Sequence, residues 1–342
     1  MLSSLMQKYG RSFSDLLLSW FSVNKRQLPW RETKDPYAIW LSEIILQQTR
    51  IQQGMSYWQS FMQKYPTVQM LADASEDEVL RLWQGLGYYS RARNLHTAAR
   101  QIVEMGAFPS TIETIRSLKG VGDYTAAAIG SIAFGLPEAV VDGNVYRVLS
   151  RCFGIDTPID STQGKKTFKS LAQTLLPENA SDFNQAMMDF GAIQCTPTSP
   201  QCTSCPLIEI CVAFNEKRVA SLPVKGKSIR IKERHFTYIY IRCKGEVAFH
   251  RREGKDIWHG LWEPFLIEEG DLPCFGGTLT LLSKDVKHIL THQIIHADFF
   301  LLDIDEKPEL PHDYIWINED EVDNYGVPRL VELLLECIAE KQ

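Results

Sequence analysis

The chain has 342 residues, enough for two domains, and 44% of them are hydrophobic, enough to fill sizeable cores. No apolar run approaches the roughly 20 residues of a membrane-spanning helix, and the N-terminus lacks a signal-peptide pattern, which predicts a soluble, cytoplasmic protein without a membrane partner. The net charge of −6 is uneven: residues 1–228 carry 23 Lys and Arg against 20 Asp and Glu, and the remainder carries 13 against 22. A mildly basic first part allows local contact with phosphate.

Helical periodicity dominates the first 215 residues. Apolar positions recur at helical spacing in seven segments: 13–23, 37–51, 55–65, 76–86, 90–105, 162–176 and 181–193. In the second segment Glu43, Gln47 and Arg50 are spaced i, i+4, i+7 and would form one polar stripe. That stripe is either a solvated surface or, because isoleucines follow Glu43, the side of an apolar pocket in which burial would make the acid a proton donor.

Residues 118–151 contain the most distinctive pattern. The turn Gly120-Val121-Gly122 lies between two apolar helical segments, for which Ser110 and Asp123 are the predicted N-caps. Glycines allow positive φ and close backbone approach, and the amides that open the second helix would attract an anion such as phosphate. Asp142 follows twenty residues later, at the end of an apolar run. It is either an ordinary helix N-cap or a functional carboxylate.

Four of the eight cysteines fall within seventeen residues, at positions 195, 202, 205 and 211, with a proline after the third. This crowding indicates metal binding in a reducing compartment rather than disulfides. Zinc usually takes two separated C-x2-C pairs, and only one is present here. The long first gap and the proline favour a [4Fe–4S] cluster.

The pattern changes in the C-terminal third. Residues 216–234 are basic, contain Pro and Gly, and have no apolar period, which predicts a linker. Beyond it, alternating residues predict strands followed by a helix at 328–340; the strands are 236–242, 247–251, 261–265, 277–282, 297–303 and 314–317. The predicted domains are therefore 1–215, mainly α, and 235–342, a small α+β domain.

The order of these motifs resembles the helix-hairpin-helix superfamily of DNA glycosylases with an iron–sulfur cluster and, within it, adenine DNA glycosylases of the MutY type. The matching runs are 42–49 (SEIILQQT), 118–126 (LKGVGDYTA), 141–145 (VDGNV) and the cysteine loop. The resemblance covers nearly the whole chain. It implies a mainly α catalytic domain in two helical sub-lobes and a Nudix-like α+β domain that recognises 8-oxoguanine.

The resemblance implies a monomer that binds duplex DNA containing an A:8-oxoguanine or A:G mispair and hydrolyses the N-glycosidic bond of the flipped adenine. Glu43 would protonate the adenine, and Asp142 would stabilise the oxocarbenium-like sugar. Tyr124 and Asn144 would orient them. Tyr124 occupies the position at which strand-cleaving relatives such as endonuclease III carry a lysine, which implies a monofunctional glycosylase.

Further positions match by the same resemblance. The adenine pocket would be formed by Arg26, Trp30, Arg31, Leu46 and Gln185. Contacts with DNA and 8-oxoguanine would come from Gln48, Thr49, Leu86, Tyr88, Gly120, Gly122, Thr291 and His292. The [4Fe–4S] cluster would be held by Cys195, Cys202, Cys205 and Cys211, and the hairpin carbonyls could ligate an alkali cation.

One departure and three alternatives accompany this interpretation. The family's Phe-Ser-His recognition loop reads Leu290-Thr291-His292 here, so the hydroxyl remains and the aromatic ring does not. We expect discrimination of 8-oxoguanine over guanine to be retained. The alternatives are a glycosylase/lyase for oxidised pyrimidines, a mispair-binding protein without catalysis, and a zinc-dependent regulator. Tyr124 and the extra domain count against the first, and the two retained acids count against the second.

Overall fold

The structure, a computed structural model, describes residues 2–226, 231–254, 256–268, 272, 275–311 and 313–341. The chain divides into two compact units, residues 1–58, 62–72 and 97–227, and residues 59–61, 73–96 and 228–342. The second unit includes a segment from the helical half of the sequence. The predicted domain boundaries at 215 and 235 stay a prediction, and residues 227–230 of the predicted linker lie outside the described residues.

The first 226 residues are mainly helical, as the periodicity predicts. The helices are α1 (Leu2–Asn24), α2 (Pro36–Ile45), α3 (Ile51–Lys64), α4 (Val68–Asp73), α5 (Glu76–Leu82), α6 (Ser90–Glu104), α7 (Ile112–Ser117), α8 (Asp123–Phe134), α9 (Gly143–Phe153), α10 (Thr162–Leu175), α11 (Ala180–Asp189) and α12 (Val212–Asn215). A search of the described residues found no helix with the length and apolar character needed to cross a bilayer.

Two apolar clusters fix the helices of the first unit. Phe13, Val148, Phe168 and Phe183, from α1, α9, α10 and α11, are fully or almost fully buried in the larger cluster. Burying each such side chain contributes about 1.5–3 kcal/mol, so these four helices form a stable frame. The smaller cluster joins α2 to α8, where the small side chains of residues 126–128 let the two helices pack closely.

The predicted polar stripe on residues 37–51 is wrong. Helix α2 ends at Ile45, and Gln48 has a φ of 56°, which no α-helix can accommodate. Gln47 and Arg50 therefore lie in the turn after the helix and cannot share a helical face with Glu43.

Both predicted caps of the helical hairpin are wrong by one residue. Thr111, not Ser110, accepts the backbone N–H of Thr114 and caps α7. Asp123 is the first residue of α8, so the N-cap position is taken by the preceding glycine. Within the turn itself, Gly120 has a φ of 77°, the left-handed conformation for which glycine is suited.

The C-terminal part forms the predicted α+β fold. Its strands are β1 (Lys232–Cys243), β2 (Glu246–Arg251), β3 (Trp262–Glu263), β4 (Phe265–Ile267), β5 (Thr278–Ile289), β6 (Gln293–Ile304) and β7 (Tyr314–Asn318). The described strands are ordered β3-β2-β1-β6-β5, with β4 also paired to β1 and β7 to β2. The β1–β6 pair is parallel and the other pairs are antiparallel. Helix α13 (Arg329–Ala339) buries Leu330 and Leu334 against Phe236 and Phe299 of the sheet.

Candidate active site

A cavity of about 310 Å³ opens between residues of α2, α8, α9 and α11 in the first unit. Ten of the predicted site residues line it: Arg26, Trp30, Arg31, Glu43, Leu46, Thr49, Tyr124, Asp142, Asn144 and Gln185. They come from widely separated parts of the sequence. With Arg50, which also lines the cavity, the fold collects two carboxyl groups, three arginines and aromatic side chains around a single space.

Glu43 is the buried acid of this cavity, with 8% of its surface exposed. Burial raises its pKa from 4.5 to about 7; the Tyr124 hydrogen bond and the charge of Arg31 lower it, and the charge of Asp142 raises it further. Tyr124 Oη donates that hydrogen bond to Glu43 Oε2 over 2.9 Å. A carboxyl with a pKa near 7 retains a proton at neutral pH and can donate it to a bound group.

Asp142 is the N-cap of α9 and also lines the cavity. Its Oδ1 accepts the backbone N–H of Val145 at 2.8 Å, and its Oδ2 accepts Nδ2 of Asn144 at 2.8 Å. Burial raises the pKa of Asp142 above its ordinary value, although these hydrogen bonds and the charge of Arg147 oppose the rise. Fixed donors and the positive end of the helix dipole favour the carboxylate, which can stabilise positive charge in the cavity.

Arg147, one turn along α9, supports this arrangement. Its Nη2 donates to Asn144 Oδ1 at 2.8 Å and to the carbonyl of Gly191 at 2.6 Å, and its Nε donates to the carbonyl of Cys195 at 2.7 Å. Gly191 fits there because an added Cβ would lie 2.5 Å from the Cβ of Asn144. Hydrogen bonds therefore connect Asp142 to the beginning of the cysteine loop. The sequence analysis missed Arg147, since nothing local distinguishes it from a surface arginine.

Asp189 is a second residue that the sequence analysis missed. Its fully buried carboxylate binds two arginines of the cavity, accepting Arg26 Nε at 2.7 Å and Arg31 Nη1 at 2.8 Å. Burial alone would raise its pKa, but the hydrogen bonds and charges of Arg31 and Arg26 hold it below the ordinary value. Asp189 neutralises one of the two positive charges and fixes the direction of both side chains. Its position four residues after Gln185 on α11 was the only available signal.

The remaining predicted DNA positions lie outside this cavity. Gln48 is exposed in the turn after α2, and Gly120 and Gly122 form the helical hairpin. Leu86 is buried, with 7% of its surface exposed.

Tyr88, Thr291 and His292 line a separate pocket of about 350 Å³ within the second unit. The Tyr88 and Thr291 hydroxyls are hydrogen-bonded to each other. Thr291 lies in the turn between β5 and β6, and Tyr88 has a φ of 49° after Gly87 at 70°. The pocket walls combine apolar side chains, such as Trp258 and Leu290, with charged ones, such as Arg93 and Asp256.

The four clustered cysteines line one small pocket and are all free thiols. Among the described residues, no three Cys, His, Asp or Glu side chains come together as a site for a single metal ion. Arg151, 3% exposed, crosses the base of the loop: it donates to the carbonyl of Thr196 at 2.8 Å and to Cys195 Sγ at 3.4 Å. The four thiols share this recess with the buried Cys152, and with a buried cation beside them they fit a polynuclear anionic cluster, which is wider than one ion.

The sequence profile of the HhH-GPD superfamily of base excision DNA repair proteins matches residues 41–174, and a NUDIX domain profile matches residues 237–337. The adenine DNA glycosylase of Buchnera aphidicola subsp. Acyrthosiphon pisum (strain APS) is 32% identical over 351 residues, which is 97% of this chain and 98% of that protein. The human adenine DNA glycosylase is 48% identical over 227 residues, 63% of this chain but only 42% of the human protein.

The solved structure of a thermostable thymine-DNA glycosylase superposes with a TM-score of 0.57 at 30% sequence identity, covering 62% of this chain and 99% of that one. Fold and profiles together define a helix-hairpin-helix DNA glycosylase with a Nudix-like second domain. The chain belongs to the adenine DNA glycosylase family.

Proposed function

We propose that this enzyme hydrolyses the N-glycosidic bond of adenine opposite 8-oxoguanine, or guanine, in duplex DNA and does not cleave the strand. The observation that carries the proposal is the pair of acids in one cavity: Glu43 with a pKa of about 7 and Asp142 hydrogen-bonded as a carboxylate. The names of the relatives point to the same base. Tyr124 binds Glu43 and has no amine with which to attack the sugar.

In the proposed reaction, the adenine leaves the stack and enters the cavity that Trp30, Arg26 and Arg31 line. Glu43 transfers its proton to N7 while the bond between C1′ and N9 breaks, so that both bonding electrons leave with the adenine. Asp142 stabilises the cationic sugar, as the second carboxylate of glycoside hydrolysis does. Water then adds to C1′, and its released proton returns to Glu43.

Recognition of the opposite base is proposed for the pocket of the second unit. When Tyr88 Oη donates to it, the Thr291 hydroxyl keeps its own hydrogen and a lone pair to offer to an oxidised guanine. Leu290 supplies apolar contact without the stacking of an aromatic ring. We therefore expect 8-oxoguanine to be preferred over guanine, and Thr291→Val to reduce that preference.

We propose that Cys195, Cys202, Cys205 and Cys211 hold a [4Fe–4S] cluster. When bound, the cluster supplies four thiolate bonds that fix the loop. Arg151 and Arg147 would then hold the loop against α9 through its backbone carbonyls. Arg147 also connects the loop to Asn144, which orients Asp142.

The test is single-turnover incubation with duplexes that carry A opposite 8-oxoguanine, G or T, and a fourth that carries an oxidised pyrimidine. Each product is divided and analysed with and without alkali. We expect breaks only after alkali, fastest for A opposite 8-oxoguanine and absent for A opposite T.

The other outcomes would each support a different function or contradict the role proposed for Thr291. Breaks without alkali, or excision of the pyrimidine, would support the glycosylase/lyase alternative. Binding of the mispaired duplex without product would support a non-catalytic protein. Equal rates opposite 8-oxoguanine and guanine would contradict the proposed role of Thr291.

A further inference from the structure

A second basic surface lies on α10, away from the catalytic cavity. Lys165, Lys166 and Lys169 line a shallow groove of about 570 Å³. Lys169 follows Lys165 by four residues and Lys166 by three, so its side chain neighbours each of theirs on the helix surface, within about one turn. The catalytic cavity contains none of these lysines among its lining residues.

The groove begins at the helical hairpin. Asp123, the first residue of α8 and the residue after Gly122, lines the same groove. Backbone amides at a helix start of this kind are suited to phosphate. The lysine side chains therefore continue a surface whose other end presents the hairpin.

The charge of the groove is positive. Asp123, its acidic residue, is already paired with Arg116 at 2.8 Å. Lys169 is paired with Glu138 at 3.3 Å. Lys165 and Lys166 are exposed and form no ion pair with any residue that the structure describes. Two uncompensated cations in a protein of net charge −6 favour a polyanionic partner.

We propose that this α10 face is a second phosphate-binding surface for duplex DNA, contacting backbone phosphates next to those at the hairpin. Lysine is a flexible point charge that suits phosphate without reading the base. One helical turn is about 5.4 Å, and phosphates along one strand rise about 3.4 Å each, so the face spans about two phosphates. The surface acts on any duplex and thus holds undamaged DNA during search. It rests on the proposed function only in that the substrate is duplex DNA.

The test uses K165Q/K166Q, which leaves Lys169 and its contacts intact, and the charge-matched control K244Q/K341Q from exposed positions of the other unit. Affinity for an undamaged duplex is measured by fluorescence anisotropy at salt concentrations from about 50 to 200 mM. Loss of two phosphate contacts should make the slope of log K against log salt shallower by about 1.8. The ratio of wild-type to variant affinity should therefore change about tenfold between 50 and 200 mM salt.

The control should keep the wild-type slope. An unchanged slope in K165Q/K166Q, or an equal reduction in the control, would overturn the proposal. Excision measured at low salt with saturating protein should be the same for the wild type and K165Q/K166Q. A wild type without excision, together with a reduced slope in the variant, would refute the proposed function and leave this surface standing.

Discussion

Replacing Glu43 with Gln should stabilise the protein at alkaline pH while removing its activity. Only 8% of Glu43 is exposed, and burial raises its pKa to about 7. The fold favours the protonated acid, so ionising it costs folding free energy. Gln has nearly the same shape, stays neutral, and can still accept the hydrogen bond from Tyr124 Oη.

The magnitude follows from the pKa difference between the unfolded and folded states. The shift from 4.5 to about 7 corresponds to about 3 kcal/mol at about 1.4 kcal/mol per pKa unit. The contribution of protonated Glu43 is fully present below pH 4.5 and is lost as the pH rises through about 7. The gain in stability of Glu43→Gln over the wild type is therefore absent at low pH and complete above about pH 8. There it should raise Tm by roughly 5–10 °C.

Thermal unfolding of wild type and Glu43→Gln across this pH range measures the effect. Glu104→Gln is the matched control because Glu104 is exposed at the end of α6. We expect the control to follow the wild type at every pH. Equal Tm values for Glu43→Gln and the wild type at alkaline pH would refute the reasoning, because a buried ionised acid would then cost nothing.

Three other substitutions test the surroundings of Glu43 and the cysteine loop. Asp189→Asn leaves two arginines without their buried partner, which should cost about 3–5 kcal/mol of stability. It should also shift the falling limb of the pH–rate profile, where Glu43 loses its proton, to lower pH. Asp182→Asn, at an exposed acid of the same helix, should do neither. Tyr124→Phe removes a hydrogen bond that lowers the pKa of Glu43, so the same limb should move to higher pH. Arg151→Met removes five contacts to the loop and the adjoining chain, and iron content per chain should fall. An unshifted falling limb in Asp189→Asn or Tyr124→Phe would contradict the roles given to these residues. Full iron content in Arg151→Met would contradict the role given to Arg151.

The sequence predicted the elements well because their periodicity is local. Apolar residues at helical spacing gave the helices that carry Glu43 and Gln185, and alternation gave the strands of the C-terminal part. The order of short motifs was sufficient to indicate the family. The predicted ends of the helices were less accurate, because the N-caps at Thr111 and Gly122 depend on backbone angles that several neighbouring residues could adopt.

The site was predicted only in part because its remaining residues act over long sequence separations. Asp189 binds Arg26 from 163 positions away, and Arg147 reaches Cys195 from 48 positions away. Arg147 leaves no periodic or motif signal, and Asp189 leaves only its spacing of four residues from Gln185. The polar stripe through Glu43 failed because α2 ends at Ile45, two residues after this buried acid.

The most direct test of the central claim is single-turnover excision of adenine opposite 8-oxoguanine by wild type, Glu43→Gln and Glu104→Gln, with alkali added afterwards. Wild type and Glu104→Gln should give alkali-dependent breaks at the same rate. Glu43→Gln should be slower by a factor on the order of 10²–10⁴, the usual contribution of a general acid. Excision by Glu43→Gln at the wild-type rate would contradict the account.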